Sequence, residues 1–412
     1  MTVLQGILAK HVIYTEAAFG TMPATPAYTR VELQSFEPEV DYGYKEPETI
    51  SGTLVPAADV RTRKTVKYST GMLAAPENGF EKLLKYITGA VTTVAGYFRS
   101  EWFTADGAET SVTLAFAPIT ATSESLYFFD ASAGTWALLT RVASGPSTGE
   151  YSINNTSGVA SLGFSLAAGD KILSRYCEVV SGVYSHVYTA SVGTLPSFGV
   201  LENLPTDLDV REVPGGKVNS ASMTIGSEDF LAASLDIMAQ EEALGSETGH
   251  TFPAGTTMSN LQKFLFKDAA IYINGISTDL YESLDIAFEN NLDEAFTIRC
   301  ADTVRDLAVT KQRVGLSGSL LFEDLVEYNR VRNGTFFMLE VVYGLCHGEE
   351  IGTTDRNYGL HFWATNVRHQ SGTPPTQLER MRIDVEGFAN PHPNLDNKAY
   401  EIVLINTIAS IA

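Results

Sequence analysis

Cysteine is scarce in this chain. There are three in 412 residues, Cys177, Cys300 and Cys346, and they lie far apart. An odd count at such spacing excludes a dense disulfide framework and predicts reduced thiols in a cytosolic setting. Basic residues are also short: 28 Lys and Arg against 49 Asp and Glu leave a formal charge of −21. Such a chain repels phosphate at long range and offers no basic patch to grip nucleic acid. Long apolar runs are missing as well. Nothing approaches the roughly 18 residues of a membrane-spanning helix, and MTVLQGILAKHVIYTEAAFG at the N-terminus lacks the apolar core of a signal peptide.

Convincing catalytic signatures are absent too. No HExxH, G-x-G-x-x-G or G-x-x-x-x-G-K-[ST] pattern occurs, and the G-x-S-x-G match at Gly145–Gly149 lies among short strand segments with no helical stripe after it, so zincin, nucleophile-elbow and phosphate-cradling chemistry have no sequence support. Cys346, His347, His361 and His369 are neighbours in sequence but match no metal-ligand spacing. The sequence therefore nominates no catalytic, cofactor-binding or metal-ligating residue, and an enzyme is not expected.

What is present favours sheet. Hydrophobic residues make up 44% and charged residues 19%, enough apolar material for packed cores and too much for wholesale disorder. Tyr, Phe, Thr and Val abound between Gly and Pro breaks, a strand-rich pattern. The clearest exception is PENGFEKLLKYITGA. Phe80, Leu83, Leu84 and Ile87 form a helical stripe, with Glu81, Lys82 and Lys85 mostly outside it, Asn78 as N-cap and Gly89 as the stop. Residues 41–75 read as long strands or an extended arm. From about residue 105 to 180, short segments such as ESLYFFD, TWALLTRV and DKILSRYCEVV are broken by turns roughly every ten residues, the pattern of a small all-β module inserted into a larger unit.

Two alternating stretches follow, Lys217–Glu242 and Tyr281–Cys300. Each carries Ser at near-equivalent places, then an acidic or amide turn, then a second alternating segment. Period-two order predicts that both are hairpins with one buried face. In GLSGSLLFEDLVEYNRVRNGTFFMLEVVYG, a strand should lead into two helical turns ending at Asn333 and Gly334, with Leu325, Val326 and Tyr328 near the apolar side. A strong strand, TFFMLEVVYG, comes next.

The order of these pieces, GFEKLLKYITG, KVNSASMTIGSEDFLAASLDIMAQ, FKDAAIYINGISTDLYESLDIAFENNLDE, GLSGSLLFEDLVEYNRVRNG and MRIDVEGFANPHPNLDNKAYEIVLIN, resembles the major tail tube protein of long-tailed, siphovirus-like bacteriophages. The resemblance covers roughly 1–100 and 181–412. It implies a mainly β fold, an antiparallel β-sandwich or partial barrel with a short packed helix, plus the inserted all-β module. The expected division is 1–104 as the first part of the tube domain, with arm 41–75 and helix 78–88; 105–180 as the module on the exterior; and 181–412 as the second part.

The resemblance further implies hexameric rings that stack into a hollow conduit for genome delivery. Partners would be further copies of the chain together with tail terminator, distal tail and tape-measure proteins, and DNA would pass through the lumen without specific binding. The place of action would be the virion tail, assembled in the host bacterial cytoplasm. On the arm, Tyr42, Tyr44, Arg61, Arg63, Lys64, Lys67 and Tyr68 become candidate inter-subunit contacts. Glu282, Asp285, Glu289, Asp293 and Glu294 become candidate lumen-facing acids. Competing readings are another head-tail or tail-terminator protein, whose ring would stop at one layer, and an adhesive or carbohydrate-binding β-protein. The latter would expose aromatics such as Trp136 or Tyr151 on the module.

Overall fold

A computed structural model describes residues 10–45, 59–191, 193–203, 210–244, 252–253, 258–298, 301–321, 325–344, 347–373 and 382–411. The chain runs through β1 (Lys10–Thr15), β2 (Thr29–Val31), β3 (Ser35–Lys45), β4 (Val60–Leu73), helix α1 (Phe80–Thr88) and β5 (Gly89–Ala95). Then come β6 (Tyr97–Thr104), β7 (Ser111–Thr113), β8 (Ser125–Asp130), β9 (Thr135–Leu138), β10 (Thr140–Arg141), β11 (Glu150–Asn154), β12 (Val159–Leu162) and β13 (Lys171–Glu178). The next group is β14 (Tyr184–Ala190), β15 (Phe198–Asn203), β16 (Val210–Gly226), β17 (Ala232–Ala239), β18 (Ala243–Leu244), β19 (Ala269–Ile273) and β20 (Ile276–Thr278). It continues with β21 (Tyr281–Glu289), β22 (Leu292–Ala295), β23 (Asp306–Val309) and β24 (Arg313–Leu321). Helix α2 (Val326–Asn333) precedes β25 (Phe337–Tyr343), β26 (Gly359–Thr373), β27 (Arg382–Ala389) and β28 (Tyr400–Asn406). The protein is mainly β, as its composition indicates.

Most strands belong to one large antiparallel sheet. Pairing carries it from β3 through β4, β17, β16, β21, β24 and β27 to β26. The first half of β26 is flanked by β25 and β28, and its second half pairs with β27. A register shift between His369 and Ser371 marks the change. Because β27 and β28 occupy different halves of one strand, the sheet turns over on itself into two layers. Leu235, Ile286 and Leu316 of one layer meet Leu339, Phe362 and Leu404 of the other in the main core. Closure is incomplete: among the described residues β3 pairs only with β4, and β5 only with β14.

Helix α1 seals this core. Phe80, Leu83, Leu84 and Ile87 are buried in it, as the stripe predicts. Its start differs from expectation. The N-cap is Gly79 in a left-handed conformation, φ 89°, where an added Cβ would lie 2.2 Å from Val31 Cγ1. Asn78 instead exchanges two 2.7 Å hydrogen bonds with the Ser259 backbone. Glu81, expected outside the stripe, is buried, and its carboxylate accepts from the Gly79 N–H at 2.9 Å. That hydrogen bond at the helix start opposes the burial, which raises the Glu81 pKa to about 7. Gly89 ends the helix, with φ 97° and its N–H on Lys85 O.

The stretch Lys217–Glu242 is a hairpin, β16 against β17. Tyr281–Cys300 is not. After the turn at Asn290 and Asn291, β22 leaves the sheet and pairs with β23. The partners of β21 are β16 and β24. Helix α2 has the expected two turns and ends at Gly334 in the left-handed region. Its inward side carries Tyr328 and Val331 against Leu320, Ile383 and Val385, while Leu325 and Val326 are exposed. Here the apolar pattern was too short to fix a phase.

Residues 97–178 form two four-stranded sheets, β6-β13-β8-β9 and β10-β11-β12-β7. They enclose their own core around Leu126, Tyr151, Leu162 and Ile172. The first of them takes in β6, ahead of residue 105. It packs on the outer side of β25, β26 and β28. That contact explains why every residue of YEIVLIN in β28 is buried: Ile402 and Leu404 point to the main core, Val403 and Ile405 to Tyr97, Phe98 and Cys177. A strand covered on both faces reads as a continuous apolar run.

Candidate functional site

The outer face of the β3–β27 layer is polar, and cross-strand register arranges it in rows. One row runs Glu37, Ser69, Asp236, Ser220, Glu289, Arg313 through β3, β4, β17, β16, β21 and β24. The next runs Ser35, Gly71, Ser234, Ser222, Ala287, Gly315 and reaches Phe388 on β27. A third runs Leu73, Ala232, Thr224, Asp285, Ser317, Glu386. From Ser35 to Gly315 the middle row carries no side chain larger than serine. The flanking rows carry Glu37, Asp236, Glu289, Asp285 and Glu386, with Arg313 at one end.

Hydrogen bonds across the strands hold these short side chains. Ser220 Oγ donates to Asp236 Oδ2 at 2.9 Å, Ser222 Oγ and Ser234 Oγ lie 2.9 Å apart, and Thr224 Oγ1 donates to Asp285 Oδ1. A surface hydroxyl bonded to its neighbour has less capacity left for a passing solute. The alternate residues of the same strands, Ala221, Met223, Leu235, Ile237, Ile286 and Phe288, are core. The face thus exists because every second residue was kept small, hydroxylated or acidic while the others built the core.

Among the expected acids, Asp285 and Glu289 lie on this face. Glu282 ion-pairs with Arg382. Asp293 and Glu294 lie apart from it, on the β22–β23 ribbon. Ser220, Ser222, Ser234, Asp236, Ser317 and Glu386 were not singled out from the sequence. Their signal was the period-two recurrence of Ser and Asp in NSASMTIG, AASLDI and GLSGSL.

The candidate contacts of the arm divide. Residues 46–58 lie outside the described residues. Tyr42 and Tyr44 are exposed near the end of β3, with ring centroids 6.5 Å apart and the Arg61 guanidinium 4.8 Å from the Tyr42 ring. Arg61 also pairs with Asp302 at 2.5 Å. Arg63 and Lys67 are exposed. Lys64 and Tyr68 are committed inside the chain. Lys64 Nζ donates to Glu242 O at 3.0 Å and lies 3.5 Å from Glu241. Tyr68 is 4% exposed in the main core, edge-on to Phe36.

A second polar cluster joins the 97–178 sheets to the main sheet. Arg175 Nη1 donates to Glu401 Oε1 at 2.6 Å, and its guanidinium lies 4.0 Å from the Trp363 ring. Glu340 is buried nearby, and burial raises its pKa against the opposing pull of Arg175. His361 sits edge-on to Phe98, with its pKa pushed down to about 3 by burial and then by Arg175 and Arg99. Glu178 is held by Arg99 at 2.8 Å and Arg356 at 2.7 Å. Tyr151 is buried, and Trp136 is half-buried between Trp102 and Phe129. Of the two aromatics a carbohydrate reading would expose, Tyr151 is therefore unavailable. Cys177 is buried, and burial pushes its thiol up to about 12, which makes it a packing residue. Cys300 and Cys346 lie outside the described residues. Among the described residues, no three His, Cys, Asp or Glu side chains gather as a metal site, and no helix is long and apolar enough to cross a membrane.

The described residues form a large sheet with a smooth polar face and an open edge, the architecture of a β-rich protein. Residues 6–345 match the family model described as phage tail tube protein, and the chain belongs to that family. No curated protein matches it. Family membership places the chain in the virion tail, assembled with other tail components.

Proposed function

We propose that this chain is the major tail tube subunit of a long-tailed, siphovirus-like phage. Copies form rings, six to a ring as the family resemblance implies, and the rings stack into a hollow tube through which the genome leaves. The observation that carries this reading is the β3–β27 face. It is solvent-facing, smooth along its middle row and predominantly acidic, and it spans seven adjacent strands. Turned inward, it makes a wall that repels phosphate and presents few donors to hold it. The open edge of β3 is the second support. A bare edge is a hazard in a solitary subunit, and a ring turns it into an interface.

In this reading the β3–β4 arm reaches a neighbouring subunit or ring through Tyr42, Tyr44, Arg61, Arg63 and Lys67. Lys64 and Tyr68 hold the base of the arm from within. The residues 105–180 module lies on the tube exterior, since its sheets pack on the side of the main sheet opposite the polar face. Tail terminator, distal tail and tape-measure proteins would meet the ends and lumen of the tube. Assembly takes place in the host bacterial cytoplasm. Electron microscopy of purified protein at rising concentration tests the reading. Stacked rings with an axial hole are expected, and a compact monomer at every concentration, or solid particles, would overturn it.

A further inference from the structure

The polar face is unevenly charged from side to side. At its open edge, Glu37, Glu39 and Asp41 recur at every second position of β3, all exposed. Among the described residues none of them has an ion-pair partner. Pro38 sits between the first two and brings no N–H to an outward ladder, so side chains must carry much of any contact made there. At the far side, where β24 begins, Lys311 and Arg313 are exposed. Neither is ion-paired among the described residues, although Glu289 lies opposite Arg313 in register. The Arg313 guanidinium lies 3.2 Å from the centroid of the Phe388 ring instead. Both cations line a cleft of about 840 Å³ that also includes Gln370, Phe388 and Tyr400.

Copies of a chain with a charge of −21 repel one another at long range. Contacts where unlike patches meet offset that repulsion, and a ring requires each copy to offer two different surfaces. Glu37 and Arg313 stand at opposite ends of one row of the same face. We propose that the acidic edge strand β3 of one copy docks at the Lys311–Arg313 corner of the next copy. Glu37 and Glu39 meet the two cations, and the polar faces of the two copies run on into each other. This inference rests on the ring reading above and adds which surfaces close the ring and by what chemistry.

Charge exchange tests it on the full chain. Three variants are needed: Glu37→Lys with Glu39→Lys, Lys311→Glu with Arg313→Glu, and all four together. All four altered residues are exposed on the subunit, so circular dichroism and thermal unfolding of the unassembled chain should match the parent. Each pairwise variant alone should need at least about tenfold more protein than the parent to assemble, as read by sedimentation and electron microscopy. The fourfold variant should recover. An equimolar mixture of the two pairwise variants should recover as well, because alternating copies restore both unlike contacts around an even-numbered ring. Pairwise variants that assemble like the parent would overturn this inference and leave the tube reading standing. So would a fourfold variant that stays impaired. If the Lys311 and Arg313 variant assembles normally but its tubes hold DNA less well, the corner serves phosphate, which also overturns the proposal. A parent that never forms rings would remove the tube reading itself.

Discussion

Arg175 and Glu401 meet at 2.6 Å although 226 residues separate them in the chain, and their side chains are 4% and 7% exposed. The pair joins β13 to β28, so it couples the outer sheets to the main sheet. Lys398 approaches the other oxygen of Glu401 at 3.2 Å, and Trp363 covers the guanidinium. A buried pair adds little net stability over apolar residues of the same shape, but removing one partner strands the other charge. Arg175→Met should therefore destabilise the subunit by about 3–5 kcal/mol. The double variant Arg175→Met with Glu401→Leu should recover part of the loss. Denaturant unfolding of unassembled subunit, compared across the three proteins, checks both expectations.

Two buried groups give stability opposite pH slopes. His361 has its pKa lowered from 6.5 to about 3 by burial. The folded state binds its proton less readily than the unfolded state does. Its neutral form therefore sets full stability above about pH 6.5, and stability falls by about 1.4 kcal/mol per unit as pH drops toward 3. The groups around it from neighbouring elements, Arg175 and Arg99, are cations and act in the same direction. Glu81 has its pKa raised from 4.5 to about 7, first by burial. Its contribution is present below about pH 4.5 and is lost as pH rises through 7, by about 3 kcal/mol in all. His361→Leu should flatten the acid limb of a stability–pH curve between pH 6 and 4, a window set by those two values. Glu81→Gln should flatten the limb between about pH 5 and 7.5. Unchanged slopes would show that neither group titrates as its burial demands.

Much of this could be read from residue spacing. The α1 stripe, its stop at Gly89, the β16–β17 hairpin and the short helix before β25 follow from periodicity and from glycine's tolerance of positive φ. What periodicity cannot supply is the partner. The pattern of YESLDIAFE fixes which side of β21 is buried, but it says nothing about whether β22, β24 or β16 lies alongside. That is why the second expected hairpin dissolved and why Asp293 and Glu294 fell on a separate ribbon. Lys64 was hidden by segments distant in sequence, Glu241–Glu242 and Asp302–Thr303, which close over the base of β4. The polar face was visible only as recurring serines until register aligned them across six strands.

Tyr44 is 60% exposed and makes its one described ring contact with Tyr42. The folded subunit has little use for such a side chain, while an interface would gain large contact area from it. Tyr44→Ser should change the stability of the isolated subunit by less than about 0.5 kcal/mol. Assembly should weaken by about 1–3 kcal/mol per contact, as expected of a buried aromatic anchor. The comparison needs thermal unfolding below the assembly threshold and light scattering above it. A loss of subunit stability equal to the loss of assembly would assign Tyr44 to folding instead.

The smooth row makes the most demanding prediction, because the proposed duty of that wall is to avoid holding DNA. Ser234 and Ser222 are surface residues with hydroxyls 2.9 Å apart in the middle of the face, and Asp236 is the exposed acid beside them. Ser234→Lys with Asp236→Lys leaves the core side of β17 unchanged, so subunits should fold and tubes should form. In a ring the added cations repeat in every copy and every layer. Each phosphate they neutralise adds to binding and to its dependence on salt. Ejection from particles carrying the variant should be slower by about tenfold or more at low salt, and it should return toward the parent rate as salt rises and screens the contacts. Stopped-flow fluorescence of released DNA at several salt concentrations measures this. An ejection rate equal to the parent's at low salt, from well-formed tubes, would mean that this face does not line the channel.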